Sequence, residues 1–352
     1  MLEARAEYFL VFFAAFFAVS FFVTKLTRRV AEYFGIRDYP DMERKIHPTP
    51  KPKLGGVAIY LSFLIGSAFL WVWGGTSEIP DTRILALLAG GLILAIGGIL
   101  DDKYDLHAAV QIIFPVAAAA LVVLAGTHIS YVSNPLGGKI MLDQYKILGY
   151  PLLGSLVVFI WIMGMTYTTK FLDGMDGLVS GVSGIAGLVI FALSLAPQVM
   201  QTSTAFLAII FAAVCFGFLP HNFHPAKIFL GEGGSTFTGF MIGVLSVISG
   251  GKIATALLVL GIPILDAAWV IVRRLWHGAS PFVGDKKHLH FRLLDVGWSQ
   301  KQTVLFLYFL SAAFGFTAVF LQSWGKLIAL ALLSAVMMIV ALSVVFIYRK
   351  KN

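Results

Sequence analysis

The stretch Met165-Thr-Tyr-Thr-Thr-Lys-Phe-Leu-Asp-Gly-Met-Asp-Gly-Leu-Val179 places two carboxylates, Asp173 and Asp176, in a short polar break between two long apolar runs. Ionisable groups beside hydrocarbon are costly, and within a membrane protein they indicate a functional site. Other charged clusters stand at the ends of other apolar runs in the same way. The break therefore predicts two membrane helices that meet at a polar site, to which the other clusters can contribute.

The composition of the chain is that of a membrane protein. Of its 352 residues, 59% are hydrophobic and 12% are charged, and the mean hydropathy is +0.87. A soluble domain of this length cannot bury so much apolar surface. Only helices and closed barrels satisfy the backbone in lipid, and apolar runs near 20 residues favour helices. We therefore predict an all-α integral membrane protein whose first apolar run is a retained helix and not a cleaved signal peptide.

The apolar runs predict a polytopic bundle of about 11 transmembrane helices. Because no internal repeat or linker divides the chain, residues 1–352 are predicted to form a single transmembrane domain with a site built from cytoplasmic loops. The runs at 152–165 and 237–248 are short, which predicts helices that are tilted, broken or shielded within the bundle. The predicted spans are 8–23, 55–73, 84–100, 108–125, 152–165, 178–196, 204–219, 237–248, 253–272, 303–321 and 326–348.

The connections between these spans alternate in charge. With the first connection inside, the cytoplasmic segments hold most of the 26 Lys and Arg, which by the positive-inside rule puts the amino terminus outside and the carboxyl terminus in the cytoplasm. This orientation explains the net charge of +8 without nucleic acid, and it places the charged clusters on one cytoplasmic face. The longest outer connection, residues 126–150, alternates loosely and predicts a small hairpin.

Acidic residues supply the first part of the predicted site. The adjacent Asp101 and Asp102 end an apolar run, where they could bind a divalent cation, accept a proton or hold a basic partner; a solvated helix end is the alternative. Asp173 and Asp176 would share one face of a helix, or belong to a turn that needs the neighbouring glycines. Lys170 is either an intrahelical ion-pair partner of Asp173 or a phosphate clamp.

A glycine-rich segment, Phe229-Leu-Gly-Glu-Gly-Gly-Ser-Thr236, supplies the second part. It predicts a turn immediately before a helix, and backbone amides at such a place suit phosphate. Glu232 would oppose a phosphate unless a metal lay between them, which favours a Mg²⁺ bridge, with Mn²⁺ as a substitute. Plain turn chemistry is the alternative for this segment.

Basic residues supply the third part. His288, His290 and Arg292 form a row on one side of the chain if the segment is extended, which suits phosphate recognition better than zinc. The connection between the first two predicted spans carries several basic residues. They could bind phosphate in the site, or form a patch that binds anionic membrane lipids. The candidate binding residues of this connection are Arg44, Lys45 and His47.

Carboxylates for a metal and cations for phosphates at a membrane surface favour phosphoryl transfer to a lipid carrier, because that chemistry is mostly positioning and charge neutralisation. A membrane transporter is the rival from another class, but it predicts acids near the bilayer midplane and repeated broken helices. A non-catalytic homologue is a further alternative.

The motifs, taken together, resemble the polyprenyl-phosphate N-acetylhexosamine-1-phosphate transferases, relatives of the phospho-N-acetylmuramoyl-pentapeptide transferases. The resemblance covers nearly the whole membrane region, in the family's order. It is carried by Arg44-Lys-x-His47 with Pro50 and Gly55-Gly56, Asp101-Asp102, Asp173-Gly-x-Asp176-Gly-Leu, Asn222-Phe-His-Pro-Ala-Lys-Ile-Phe229, Gly231-Glu-x-Gly-Ser235 and His288-Leu-His-x-Arg-Leu-Leu294.

The resemblance implies transfer of a sugar 1-phosphate from a UDP-sugar to a polyprenyl (undecaprenyl) phosphate in the cytoplasmic membrane of a bacterium or archaeon, as the first membrane step of a cell-envelope glycan pathway. N-acetylglucosamine is the expected sugar, with an activity like that of the muramoyl-pentapeptide enzymes as the alternative, and a homodimer is compatible with the resemblance. The implied residues are Asp101, Asp102, Asp173 and Asp176 for catalysis, Glu232 for the metal, and Arg44, Lys45, His47, Lys170, Asn222, Phe229, His288, His290 and Arg292 for substrate.

Two positions depart from the family pattern. The family usually has Asp at the position of Glu232 and Asn at that of Lys170, and both lie near the family's metal. An Asn and Asp pair carries one negative charge, whereas a Lys and Glu pair carries none. We hypothesise that the two residues changed together, and that Lys170 supplies some of the charge that a metal would otherwise supply.

Overall fold

The computed structural model describes residues 2–40, 49–133, 138–147, 150–197, 199–249, 253–276, 278, 288–321 and 323–351. Helices dominate this part of the chain, as the composition predicts. They are α1 (Leu2–Tyr33), α2 (Gly55–Val72), α3 (Asp81–Tyr104), α4 (Ala108–Gln111), α5 (Ile113–Leu124), α6 (Leu152–Leu172), α7 (Leu178–Ser194), α8 (Thr202–Asn222), α9 (Gly231–Ile248), α10 (Ile253–Val259), α11 (Gly261–Trp276), α12 (Leu289–Asp295), α13 (Gln300–Phe320) and α14 (Ser323–Lys351).

Short antiparallel strand pairs lie in the connections. The pair β1 (Arg37–Asp38) and β2 (Lys51–Pro52) closes the connection between α1 and α2. The predicted hairpin is present as β3 (Tyr131–Ser133) and β4 (Lys139–Met141), with Val132 opposite Ile140. A last pair, β5 (Lys146–Ile147) and β6 (Tyr150–Pro151), leads into α6.

Each predicted span coincides with a helix or a pair of consecutive helices, but the described residues do not confirm eleven crossings. Within the described residues, six helices are long and apolar enough to cross a membrane. A seventh crossing results if α10 and α11, which bend by 81° at their junction, form one span. The protein is therefore a helical, multi-pass membrane protein.

The two short runs belong to longer helices than their apolar residues indicate. Helix α6 has 21 residues and continues to Leu172, and α9 has 18 residues and begins at Gly231. The predicted glycine-rich turn before α9 is wrong, because that segment forms the first turn of the helix. Both helices thus carry polar side chains directly into the site.

Helices α8 and α9 form the centre of the bundle. Nearly every residue of α8 is buried, as is the whole of α9 from Gly233 to Val247. A helix that is apolar on all sides is stable only where neighbours surround it. Here α1, α2 and α7 pack against α8, while α3 and α6 pack against α9. The shielding predicted for the run at 237–248 is therefore correct.

A close contact between glycines sets the distance between α3 and α9. A β-carbon added to Gly98 would lie 2.1 Å from Cα of Gly233, so Gly98 has no room for a side chain there. The contact lies one turn before Asp101 and Asp102 on α3, and beside Glu232 on α9. Backbone packing thereby brings the acidic ends of the two helices together.

Candidate functional site

The polar break that opened the sequence forms the turn between α6 and α7. Helix α6 ends before Asp173, and Gly177 has φ +80°, a left-handed conformation that favours glycine. The hydroxyl of Tyr308, on α13, donates a hydrogen bond to the carbonyl oxygen of Gly177. The prediction that Asp173 and Asp176 share a helical face is therefore wrong, and the alternative, a glycine-dependent turn, is correct.

Lys170, in the last turn of α6, reaches across to α9. Its Nζ lies 2.5 Å from Oε1 of Glu232 and donates a hydrogen bond of 2.9 Å to Oε1 of Gln111. Both side chains of the ion pair are about four-fifths buried. Among the described residues no ion pair joins Lys170 to Asp173, so the intrahelical alternative is not what the fold adopts.

Gln111, which the sequence analysis missed, connects this ion pair to α3. Its Nε2 donates to Oδ1 of Asp101 at 2.7 Å and to the carbonyl of Leu106 at 2.9 Å. A continuous path therefore runs from Asp101 through Gln111 and Lys170 to Glu232. The sequence signal that could have identified Gln111 was its polar amide side chain within the apolar run 108–125.

Asp102 fastens the start of α9 to the end of α3. Its Oδ1 accepts the amide N–H of Glu232 at 3.2 Å, so this amide does not bind a phosphate in the structure as it stands. Nζ of Lys53 lies 3.8 Å from the same oxygen and 3.1 Å from Oδ1 of Asp38. Burial lowers the pKa of Lys53, but the carboxylates of Asp102 and Asp38 more than offset it and leave the pKa above its usual value.

Asp176 holds the loop that follows α8. Its Oδ2 accepts hydrogen bonds from Nδ1–H of His224 at 2.8 Å and from the amide of Ala226 at 3.0 Å. The same loop also docks on the strand before α2, because the amide of Phe229 donates to the carbonyl of Pro52 at 2.8 Å. Phe229 itself is half-buried at this junction.

Both polar atoms of the Asn222 side chain form hydrogen bonds within the protein. Its Oδ1 accepts the amide of Gly177 at 3.1 Å and the hydroxyl of Ser180 at 2.9 Å, and its Nδ2 donates to the carbonyl of Ile228 at 3.1 Å. The residue is buried. This geometry ties the turn at Gly177 to the end of α8.

The two predicted histidines stack beside the same turn. Their ring centroids lie 5.5 Å apart with planes only 5° from parallel. The predicted row of residues required an extended segment. Helix α12 begins at Leu289 instead, so that prediction is wrong. Asp266, on α11, orients the pair: its Oδ2 lies 2.8 Å from Nδ1 of His288 and its Oδ1 accepts the amide of Leu289 at 2.9 Å.

His290 is 1% exposed and lies against the turn. A β-carbon added to Gly174 would lie 2.5 Å from its Nε2, and this nitrogen has no hydrogen-bond partner among the described residues. Burial lowers the pKa of His290 to about 4, with a further decrease from His288 that opposes the effect of Asp266. The ring is therefore neutral at physiological pH.

Asp173 lies in the turn, and part of the residue is exposed. Desolvation by the surrounding protein raises the pKa of its carboxyl to about 8, and the negative charges of Glu232 and Asp102 raise it further than Lys53 lowers it. The turn thus places a carboxyl group where negative charge is already in excess.

The acidic cluster has the oxygen donors of a divalent-cation site but not the arrangement of one. Within the described ranges, no three His, Cys, Asp or Glu side chains converge closely enough to hold a metal ion. Oxygen Oε1 of Glu232, the predicted ligand, contacts the ammonium of Lys170, and Asp102 is engaged by an amide and by Lys53. In this arrangement the carboxylates bind the protein's own cations, Lys170 and Lys53, and do not fit a metal ion.

Most of the predicted site residues therefore meet at one end of the bundle. Arg292 lies on α12, half-buried, one turn after His288. Arg44, Lys45 and His47 lie outside the described residues. The structure adds Lys53, Gln111, His224 and Asp266, which sequence motifs did not assign to the site.

The fold and this cluster define a multi-pass helical membrane protein whose acids, lysines and histidines gather at the ends of several helices. Comparison with known proteins then places the chain more narrowly. A sequence model of glycosyl transferase family 4 matches residues 84–250. The chain belongs to this family, and it is a transmembrane transferase.

Relatives with assigned names agree with this placement. A probable undecaprenyl-phosphate N-acetylglucosaminyl 1-phosphate transferase of Bacillus subtilis is 32% identical over 97% of this chain and 93% of its own length. A decaprenyl-phosphate N-acetylglucosaminephosphotransferase of Mycolicibacterium smegmatis is 34% identical over 82% of this chain and 76% of its own length. An undecaprenyl-phosphate alpha-N-acetylglucosaminyl 1-phosphate transferase of Thermotoga maritima is 30% identical over 77% of each chain. These names do not favour the muramoyl-pentapeptide alternative.

Proposed function

We propose that this protein transfers N-acetylglucosamine 1-phosphate from UDP-N-acetylglucosamine to a polyprenyl phosphate, releasing UMP and forming a polyprenyl-diphosphate-linked sugar. The observation that carries the proposal is the meeting of Asp101, Asp102, Lys170, Asp173 and Glu232 where α3, α6 and α9 come together. Relatives that align along most of their length carry names of this activity.

The reaction exchanges one phosphoanhydride bond for another. An oxygen of the lipid phosphate attacks the phosphorus that bears the sugar, and the bond from that phosphorus to the bridging oxygen of UDP breaks, so that UMP leaves with the electron pair. A phosphate monoester has a second pKa of about 6 and is largely ionised at neutral pH. The attacking group therefore needs positioning more than a general base. We assign that role to Asp101 and Asp102 acting through a cation, because carboxylates alone repel a phosphate; the ammonium of Lys53 lies 3.8 Å from Oδ1 of Asp102.

The remaining residues divide into groups that contact the donor and groups that hold the site together. Phe229 is proposed to stack on uracil. His288, His290 and Arg292 are proposed to contact the sugar or the diphosphate. Asp173 lies open on the turn and is proposed to contact the nucleotide sugar. Asp176 and Asn222 are proposed to shape that subsite by holding the turn and the loop after α8, since Oδ2 of Asp176 and both Oδ1 and Nδ2 of Asn222 already have partners within the protein.

Mg²⁺, or Mn²⁺, is the cofactor that the family resemblance implies, because divalent cations neutralise charge in phosphoryl transfer. Glu232 is the ligand that the resemblance implies, but Lys170 contacts its Oε1, so the residues in this arrangement do not fit the ion. The steps given above use only the protein's own charged groups.

We propose further that the site faces the cytoplasm, in the cytoplasmic membrane of a bacterium or archaeon, within a single membrane domain. The concentration of basic residues in the connections on the side of the site supports this orientation. Membrane lipids surround the bundle, and a homodimer is the proposed assembly. Cysteine-accessibility labelling of residue 105 in intact cells checks the orientation, because Asp105 is exposed at the end of α3.

The proposed transfer is tested with purified protein, radiolabelled UDP-N-acetylglucosamine and undecaprenyl phosphate. A lipid-linked product that depends on undecaprenyl phosphate is expected, and a panel of UDP-sugars identifies the preferred donor. Asp102→Asn should abolish product formation, whereas Asp105→Asn is a matched control at an exposed residue whose left-handed conformation Asn tolerates. A pure, folded protein that makes no lipid-linked product from any UDP-sugar contradicts the proposal and leaves the non-catalytic alternative.

A further inference from the structure

Lys170 is the cation at the centre of the acidic cluster. Its side chain is 21% exposed, and its ammonium contacts Glu232 at 2.5 Å and Gln111 at 2.9 Å. An ammonium carries three N–H donors, and these two acceptors use two of them. One donor and part of the exposed surface therefore remain for a ligand.

The position of the ammonium excludes a metal ion from the same oxygen. Mg²⁺ binds carboxylate oxygens at about 2.0–2.1 Å, and two cations on one carboxylate oxygen repel each other. Gln111 presents an oxygen to Lys170 and an amide nitrogen to Asp101, so its orientation suits a cation in the place where Lys170 lies. The described residues also contain no group of three His, Cys, Asp or Glu side chains that could hold a metal ion.

We propose that Lys170 is the resident cation of this site: its ammonium takes the place of a divalent metal ion beside Glu232 and offers its remaining N–H to the diphosphate of the donor. The inference rests on the proposed function for the identity of that donor. It follows that the protein binds a nucleotide diphosphate without metal, and that removing the lysine's charge opens Glu232 to a metal.

A purely structural ion pair between α6 and α9 is the competing explanation. It predicts that loss of Lys170 lowers the unfolding temperature but changes neither metal affinity nor nucleotide affinity in the folded protein. Measurements of ligand binding therefore separate the two explanations, whereas activity alone does not.

The test uses the full-length protein in detergent and two binding measurements. Mn²⁺ affinity is measured by electron paramagnetic resonance on protein without substrate, and UDP affinity is measured by calorimetry in EDTA. Lys170→Gln removes the charge and keeps a polar side chain of similar length. Lys301→Gln is the matched control, because Lys301 is an exposed lysine in the first turn of α13. It removes the same charge at a residue outside the site.

Lys170→Gln is expected to bind Mn²⁺ at least tenfold more tightly than the wild type and UDP in EDTA at least tenfold more weakly, while Lys301→Gln matches the wild type in both. Unchanged or weaker Mn²⁺ binding by Lys170→Gln overturns the proposal, as does unchanged UDP binding in EDTA. If Lys170→Gln does not fold, Glu232→Gln serves instead: it frees the ammonium, so UDP should bind in EDTA more tightly than to the wild type, and unchanged or weaker binding overturns the proposal.

Failure of this inference differs from failure of the proposed function. A wild type that binds UDP and forms lipid-linked product only with Mg²⁺, and binds no UDP in EDTA, refutes the role of Lys170 and leaves the transferase reaction in place. A wild type that binds UDP under neither condition and forms no product refutes both.

Discussion

The carboxylate of Asp266, on α11, contacts both His288 and the residue that follows it. Its Oδ2 lies 2.8 Å from Nδ1 of the His288 ring, and its Oδ1 accepts the amide N–H of Leu289 at 2.9 Å. Since a carboxylate can only accept, the proton of the neutral ring lies on Nδ1. Nε2 is then the nitrogen that remains for a substrate. Asp266 is thus a positioning residue, which fixes both the tautomer and the orientation of His288.

Replacing Asp266 with Asn should lower kcat/KM for lipid-linked product by about 10- to 100-fold, the usual cost of losing a group that orients a functional side chain. The Asn amide can donate to Nδ1 and so favour the opposite tautomer. Nitrogen chemical shifts of labelled histidine should report this change, which a general loss of stability would not cause. Asp295→Asn, at the exposed end of α12, is the control and should behave like the wild type.

The positions of the helices could be predicted from sequence because apolar runs report which segments must leave water. The run 55–73 and α2, Gly55–Val72, nearly coincide for this reason. The extension of α6 and α9 through polar residues could not be predicted. Lys170 on α6 and Glu232 on α9 are stable in these partly buried positions because they form an ion pair with each other.

The membership of the site was predictable in outline, but its pairings were not. Lys170 and Gln111 are 59 residues apart, and Asn222 and Gly177 are 45 apart, so no local periodicity connects them. Motif spacing marked Asn222 and Asp176 as site residues without distinguishing a ligand from a support. In the sequence, Asp266 is an isolated acid within the predicted span 253–272, since its partner His288 lies in another segment.

The contact between Gly98 and Gly233 predicts strong sensitivity to a single methyl group. Gly98→Ala would place a β-carbon 2.1 Å from Cα of Gly233 and force α3 away from α9, at a cost of about 1–3 kcal/mol or more. Because Asp102 and Glu232 lie beside this contact, transferase activity should fall by more than tenfold. Gly164→Ala, on the exposed face of α6 with no atom within 4 Å of the added carbon, should leave activity and thermal stability close to those of the wild type.

Asn222→Ala should destabilise the protein by about 2–4 kcal/mol, because it leaves the amide N–H of Gly177 and the carbonyl of Ile228 without their buried partner, while the hydroxyl of Ser180 keeps its bond to the carbonyl of Gly177. Thermal unfolding in detergent measures the loss. His224→Ala makes a useful comparison, since the His224 side chain is 41% exposed and Asp176 keeps its bond to the amide of Ala226. An Asn222→Ala protein as stable as the wild type would show that water replaces the lost bonds.

The buried, neutral ring of His290 predicts a loss of stability in acid. Its pKa is about 4 in the folded protein and about 6.5 in an unfolded chain, so between these values the unfolded state binds more protons. The free energy of unfolding therefore rises as pH increases from about 4 to 6.5 and is independent of this residue above that range. The full difference is on the order of 3 kcal/mol.

His290→Asn removes the titrating group and keeps a polar side chain, so its unfolding temperature should fall less than that of the wild type when the pH is lowered from 7 to 5. The quantity compared is the fall in unfolding temperature from pH 7 to pH 5, measured separately for the variant and the wild type. Absolute stabilities are not compared, because the cavity left by the smaller side chain lowers stability at every pH. His107→Asn is the matched control: His107 is exposed at the start of α4, and Asn can still accept the amide of Ala109 there, so the acid-side loss should remain. If His290→Asn loses as much stability as the wild type between pH 7 and 5, protonation of His290 is not what weakens the fold in acid.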